Sequence, residues 1–263
     1  MTLVDTHSHL YCEEFDSDRE EVIERAEKAG ISLILLPAID KATYERQERL
    51  EASRPLLFKQ MMGVHPTSIG DNPDNDLEEA HSLLFAHPDK YVAVGEIGLD
   101  LYWDTSRKEQ QIYALGKQIE WAREVNKPVS LHIRNAYQEA FTLLEQKSKG
   151  PYRGVMHCFS GTMEDAVHAV EMGFVLGIGG VVTFKNSSLA EIVRSVPLTS
   201  IVLETDAPYL APTPYRGKRN ESSYLALVAE KVAQLKEKSL DTVARVTTDT
   251  ARRIFGITCN QVD

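Results

Sequence analysis

The sequence predicts an α/β fold: a (β/α)8 TIM-type barrel with an extra C-terminal helix. Three observations carry this. Eight short apolar segments alternate with nine helical ones, the rhythm of a parallel sheet. A length of 263 residues is long for one domain but ordinary for such a barrel, so residues 1–263 are read as a single domain. The chemistry-bearing residues also fall where the predicted strands end, as active-site residues of barrels do.

The first strand, Leu3–Thr6, runs into His7-Ser8-His9. Residues two apart in an extended chain point to one side, so both imidazoles enter the same space. Asp16-Ser17-Asp18 precedes a helix over Arg19–Ala29, closed by Gly30. Ile31–Pro37 is a nearly all-apolar strand of the kind buried on both faces. A helix over Lys41–Ala52 leads to a third strand, Phe58–Gly63, ending at Val64-His65-Pro66. After a helix over Asp76–Ala86, a fourth strand, Tyr91–Gly95, ends at Glu96. A long helix over Ser106–Val125 stops before Pro128, and Val129–Leu131 ends at His132. A helix over Ala136–Gln146 leads to Gly154–Met156, which ends at His157. Met163–Met172 is helical, Phe174–Ile178 extended and Ser188–Val193 a short helix. The eighth strand, Ile201–Leu203, ends at Glu204-Thr205-Asp206, and helices over Ser222–Lys236 and Leu240–Phe255 follow. An open doubly wound sheet is the alternative, weakened because no GxGxxG follows the first strand. Gly177-Ile178-Gly179-Gly180 is read as a turn at the barrel end.

Composition narrows the function. The formal net charge of −10 argues against tight, sequence-independent gripping of long duplex DNA, which needs many phosphate contacts. No apolar run is long enough to span a membrane, and the start has neither the basic nor the apolar region of a signal peptide. Cys12, Cys158 and Cys259 show no framework spacing and are read as reduced thiols of a cytoplasmic protein.

Five of the eight histidines (His7, His9, His65, His132 and His157) sit at strand ends, whereas His81, His87 and His168 fall in helices or their connections. With Glu96 and Asp206 they exceed what one metal needs, because a single catalytic zinc takes about three protein ligands. The set suits two divalent cations about 3.5–4 Å apart. A carboxylate has two oxygens and is the natural bridge. Glu96 is therefore assigned as the bridge, with His7, His9 and Asp206 on one metal and His132 and His157 on the other. Such a centre activates water for hydrolysis, with Glu96 and Asp206 as the catalytic carboxylates and Asp206 as proton acceptor. His65 is a substrate-phosphate donor or a turn residue. Glu204, on the same face as Asp206, orients a ligand from behind or is a buried partner for another polar group of the barrel. The segment after the eighth strand carries Arg216, Lys218 and Arg219, which with Arg134 are candidates for holding phosphate. Tyr209 or Tyr215 offers a ring for stacking on a base, and Tyr102 and Trp103 form an aromatic wall or pack in the core. The ligand set alone does not choose between phosphate esters and amides, carboxylic esters or lactones. Nor does it choose among Mg²⁺, Mn²⁺ and Zn²⁺.

Six ordered motifs add a resemblance. Asp5-Thr6-His7-Ser8-His9-Leu10, Gly63-Val64-His65-Pro66, Gly95-Glu96-Ile97-Gly98-Leu99-Asp100, His132-Ile133-Arg134, His157-Cys158-Phe159-Ser160-Gly161 and Leu203-Glu204-Thr205-Asp206-Ala207-Pro208-Tyr209-Leu210 resemble the TatD family of metal-dependent deoxyribonucleases, from residue 1 to about 256. The resemblance implies a nuclease of the amidohydrolase-like barrels. It implies 3′-to-5′ activity on single-stranded DNA, as reported for some members, and a role in DNA repair or degradation. It also implies metal ligation by His7, His9, Glu96, His132, His157 and Asp206. Glu96 stands where many amidohydrolase relatives carry a carboxylated lysine. Some members act on aminoacyl-tRNA. One departure is Asn220-Glu221-Ser222, where the family often has Asn-Glu-Pro.

Overall fold

A computed structural model of the chain describes residues 1–103 and 105–257. Cys259 lies outside them. The strands are β1 (Leu3–Asp5), β2 (Ile31–Leu36), β3 (Phe58–Gln60), β4 (Val94–Asp100), β5 (Val129–Arg134), β6 (Gly154–His157), β7 (Phe174–Ile178) and β8 (Ile201–Leu203). Between and after them run α1 (Arg19–Lys28), α2 (Lys41–Ser53), α3 (Pro73–Ala86), α4 (Lys108–Glu124), α5 (Tyr137–Lys147), α6 (Met163–Glu171), α7 (Leu189–Ser195), α8 (Leu225–Lys236) and α9 (Leu240–Phe255). β1-β2-β3 and β4-β5-β6-β7-β8 pair in parallel as two sheets. Single parallel bridges join these sheets at both seams, Met62 to Val94 and Ser8 to Ala207. The second seam is reinforced by Thr6 N–H on Leu203 O at 3.0 Å and Asp206 N–H on His7 O at 2.9 Å. The expected barrel is the architecture observed.

Strand alternation sorts the apolar residues into two layers. Leu3, Ile34, Leu36, Leu131 and Met156 face the helices in the larger cluster. Val4, Leu33, Leu35, Val155, Val175 and Val202 form an inner cluster with Ala251, Ile254 and Phe255 of α9. These inner residues precede His7, His157 and Asp206 in their strands, so α9 stops the end of the barrel where the strands begin. Local signals delimit the helices. Asp40 and Thr43 form a capping box at α2, Thr162 and Asp165 another at α6, and Gly256 ends α9 at φ 66°.

Two strands run further than the sequence suggests. β4 continues past Gly95 to Asp100, and β5 past Leu131 to Arg134, through pairing of Gly98 with His132 and of Asp100 with Arg134. Glu96, His132 and Arg134 therefore lie within strands. Gly98 permits the pairing, because a Cβ there would stand 1.8 Å from His132 O. Gly177 belongs to β7 rather than to a turn. A Cβ there would lie 2.2 Å from Glu204 Oε2, so its absence makes room for that carboxylate.

Candidate metal centre

At the C-terminal end of the strands, five imidazoles and two carboxylates converge. Glu96 is central, and its two oxygens face different partners. Oε2 lies 3.1 Å from His7 Nε2 and 3.5 Å from His9 Nε2. Oε1 lies 2.9 Å from His132 Nδ1, 3.5 Å from His65 Nε2 and 3.7 Å from His157 Nε2. Asp206 Oδ1 completes the ring, 3.5 Å from His157 Nε2 and 3.6 Å from His9 Nε2. His7, His9, His157 and Glu96 are buried; His65, His132 and Asp206 are less so, and the cluster opens on their side.

Each ring is held by its outer nitrogen, which decides what the inner one offers. Tyr11 donates its hydroxyl hydrogen to Pro37 O at 2.7 Å, so its oxygen accepts from His9 Nδ1 at 2.8 Å. The neutral ring then turns the Nε2 lone pair inward. Asp100 Oδ2, 2.9 Å from His132 Nε2, leaves Nδ1 as that ring's inward acceptor. Glu204 Oε1 lies 3.1 Å from His157 Nδ1, an ion-pair contact behind the ring that leaves Nδ1 without a hydrogen bond among the described residues. His7 Nδ1 is 3.4 Å from Ser130 Oγ. His65 is wired the other way. Its Nδ1 accepts the Thr67 N–H at 3.2 Å, so the neutral ring carries its proton on the inward Nε2. His7, His9, His132 and His157, with Glu96 and Asp206, form groups that could hold a metal ion, and His65 offers a donor.

The electrostatics fit cation binding. Burial raises the Glu96 carboxyl, but His7, His65, His157 and His132 together hold it well below the usual range. Asp206 is likewise lowered, burial being outweighed by His157, His9 and His7. Against burial, Asp206 and Glu96 push His9 up to about 9, and Asp100 and Glu96 push His132 up to about 9. Burial and then His157 bring His7 down to about 4. A cation ligated by His9 and His132 needs the neutral rings, so its binding would release protons from them. Imidazole and carboxylate in this ratio suit Zn²⁺ or Mn²⁺ and tolerate Mg²⁺.

A family profile described as TatD related DNase matches residues 4–256. The chain belongs to the TatD family. A Bacillus subtilis (strain 168) relative named uncharacterized metal-dependent hydrolase YabD is 41% identical over 97% of this chain and 99% of its own. The 3′-5′ ssDNA/RNA exonuclease TatD of Pantoea ananatis is 32% identical over 97% of this chain and 100% of its own. The crystal structure of YjjV, a TatD homologue of Escherichia coli K12, superposes with a TM-score of 0.90 at 30% identity, covering 97% of this chain and 98% of that one. The chain is accordingly a metal-dependent hydrolase.

The other predicted residues of this TatD-family chain divide into two groups. His65 reaches the cluster, and Glu204 stands behind His157 while accepting the Cys158 N–H at 2.5 Å. Arg134 lies over the Tyr102 ring at 3.8 Å, two residues after His132. Arg216 lies over the Phe184 ring at 4.6 Å and lines a cavity of about 350 Å³ with Phe159, Ser160, Val181 and Asn186. Arg219 is engaged by other groups of the chain. Its guanidinium grips Asp18 through two bonds of 2.7 and 2.6 Å, donates to Glu14 O and covers Phe15. With Arg25 gripping Glu221, it ties the β8–α8 connection to α1. Arg219→Ala is therefore expected to cost about 1 kcal/mol of stability, the pair being part-exposed and screened, with KM for substrate unchanged. Thermal melts and steady-state kinetics check this, and a raised KM at unaltered stability would return Arg219 to the phosphate site. The family departure at Ser222 leaves the turn intact. Asn220 Nδ2 donates to Thr205 O and Tyr209 O, each at 2.7 Å, and Ser222 Oγ meets Ser8 Oγ at 3.3 Å.

Sequence reasoning missed Tyr11, Ser130 and Asp100 as holders of the rings. The parity that pairs Glu204 with Asp206 also pairs His9 with Tyr11, Glu96 with Asp100 and Ser130 with His132, so all three carried a signal.

Proposed function

We propose that the chain is a metal-dependent deoxyribonuclease that hydrolyses DNA phosphodiester bonds, removing nucleotides from the 3′ ends of single strands. We further propose that it does so with two divalent cations. The observation that carries the reading is Glu96, whose oxygens face two separate groups of inward-turned nitrogens. His7, His9 and Asp206 would hold one cation, His132 and His157 the other, with Glu96 shared. Bound there, divalent cations supply water of lowered pKa and positive charge for the phosphoryl oxygens. The protein does the rest. Asp206, ionised because the histidines outweigh its burial, accepts the proton of the attacking water at a carboxylate oxygen. His65 donates a hydrogen bond from its Nε2–H to a phosphoryl oxygen, and the proton taken up by Asp206 passes to the leaving sugar oxygen as the P–O bond breaks. Asp100, Tyr11, Glu204 and Ser130 keep the rings from turning. The exonuclease named among the relatives supports a nucleic-acid substrate. Arg216 supplies positive charge at the rim of a chain whose net charge is −10. A cytoplasmic setting, in DNA repair or degradation, agrees with the free thiols Cys12 and Cys158. Among the described residues no helix is long and apolar enough to cross a membrane.

The test is a time course on a 5′-labelled single strand. Stepwise shortening from the 3′ end is expected, abolished by chelation and restored by Mg²⁺, Mn²⁺ or Zn²⁺. An intact strand, with the cation-loaded protein turning over a small amide, ester, lactone or aminoacyl-tRNA, would overturn the nuclease reading.

A further inference from the structure

Tyr102, Trp103, Tyr209, Leu210 and Tyr215 are exposed, and all lie on the two connections that follow β4 and β8, at the end of the barrel that holds the cluster. Trp103 is the most open of the five at 71% exposed. Water gives such a ring no reason to stay uncovered, and a concentration of large apolar groups at one rim marks a binding surface. The β4 side is the more fully built. Tyr102 and Trp103 meet edge-to-face, ring centroids 4.9 Å apart at 90°. The Arg134 guanidinium sits 3.8 Å over Tyr102 and 5.3 Å from the Trp103 ring. No carboxylate among the described residues pairs with Arg134, so the stacked guanidinium keeps its N–H rim for another anion.

This group is anchored to the metal centre. The Tyr102 N–H donates to Asp100 Oδ1 at 3.0 Å, and the other Asp100 oxygen holds His132 at 2.9 Å. Leu101 N–H donates to Arg134 O at 3.0 Å, tying the aromatic segment to β5. An open indole and a pre-stacked guanidinium with no carboxylate partner among the described residues therefore stand beside one proposed ligand. Their chemistry matches a base with a free face and the phosphate next to it.

We propose that Trp103, with Tyr102 and Arg134, is a stacking platform for an unpaired nucleobase of single-stranded DNA next to the reacting phosphodiester, Arg134 taking the flanking phosphate. The proposal rests on the nuclease reading and adds a cause for strand preference. A base inside a duplex has both faces covered and cannot lie on Trp103, whereas a frayed or single-stranded end can.

The chain has two tryptophans, and Trp121 is buried, so Trp121→Phe leaves Trp103 as the sole indole emitter. This variant is titrated with oligothymidylate in chelator, so that nothing is cleaved, and strand binding is followed independently by anisotropy of a labelled strand. Saturable quenching of Trp103 is expected, and it is lost with an abasic strand of equal length. Trp103→Ala, made at an exposed position and checked by thermal melting, is expected to weaken oligothymidylate binding roughly tenfold, while Trp103→Phe retains most of it. If the strand binds with Trp103 emission unmoved, and Trp103→Ala binds as tightly, the platform is overturned and the nuclease reading stands. If no strand binds with or without added cation, both fall.

Discussion

Glu96→Gln is expected to lose bound divalent cation and about three orders of magnitude in turnover. The substitution keeps the shape of the side chain and removes one charge from the centre of the cluster. An amide can offer an oxygen on one side, but it turns an NH₂ toward the other. Glu96 faces His7 and His9 with one oxygen and His132 and His157 with the other, so one of the two groups meets a donor where it had an acceptor. Several kcal/mol of charge stabilisation then disappears, about 10³-fold in rate. The histidines also lose the anion they share. Elemental analysis of the purified variant and steady-state turnover on a single strand make the test. Full cation content with undiminished turnover would remove Glu96 from its shared position.

The second large effect is expected at a residue that touches no substrate. Gly98→Ala places a methyl group 1.8 Å from His132 O and 2.7 Å from its carbonyl carbon. Both atoms belong to the β5 backbone, which has no rotamer to turn away. Either β4 and β5 separate at His132 or the whole strand pair shifts. Overpacking of this kind costs about 3 kcal/mol, and for a chain of this length that lowers Tm by roughly 6–12 °C. The displaced carbonyl is that of the histidine held between Glu96 and Asp100, so cation affinity falls with stability. Denaturant unfolding and cation titration measure the two effects together. A variant as stable as the parent would show that the sheet can open here at no cost.

Much of this was legible in the residues themselves. His7 and His9 follow from strand parity, and the recurrence of histidine, glutamate and aspartate after apolar segments points to one mouth before any coordinate is known. Boundaries were less legible. β4 and β5 continue through polar residues because their inward positions serve the site, and a polar residue in a strand reads as its end. Arg219 was not legible at all. Its partner Asp18 is 201 positions away, and nothing in the local run of Arg216, Lys218 and Arg219 separates the cation that grips an aspartate from the one left over a ring. Asp5, two residues before His7, reads as an interior carboxylate of the barrel, but its partner was not legible: it binds Thr205 through both carboxylate oxygens, at 2.9 and 2.6 Å, and so locks β1 to the segment carrying Asp206. Local pattern identifies which residues meet at the mouth. Which of them are spent on holding the others is decided by contacts across the barrel.

The stopper formed by Ala251, Ile254 and Phe255 makes the barrel a cup rather than a tunnel. A polymer cannot be threaded through it. If the substrate is a strand, as proposed, its end would enter, lose one unit and back away by the same opening before the freed unit could leave. Traffic through a single door alternates, so the pace of such trimming would be set as much by retreat as by bond breaking.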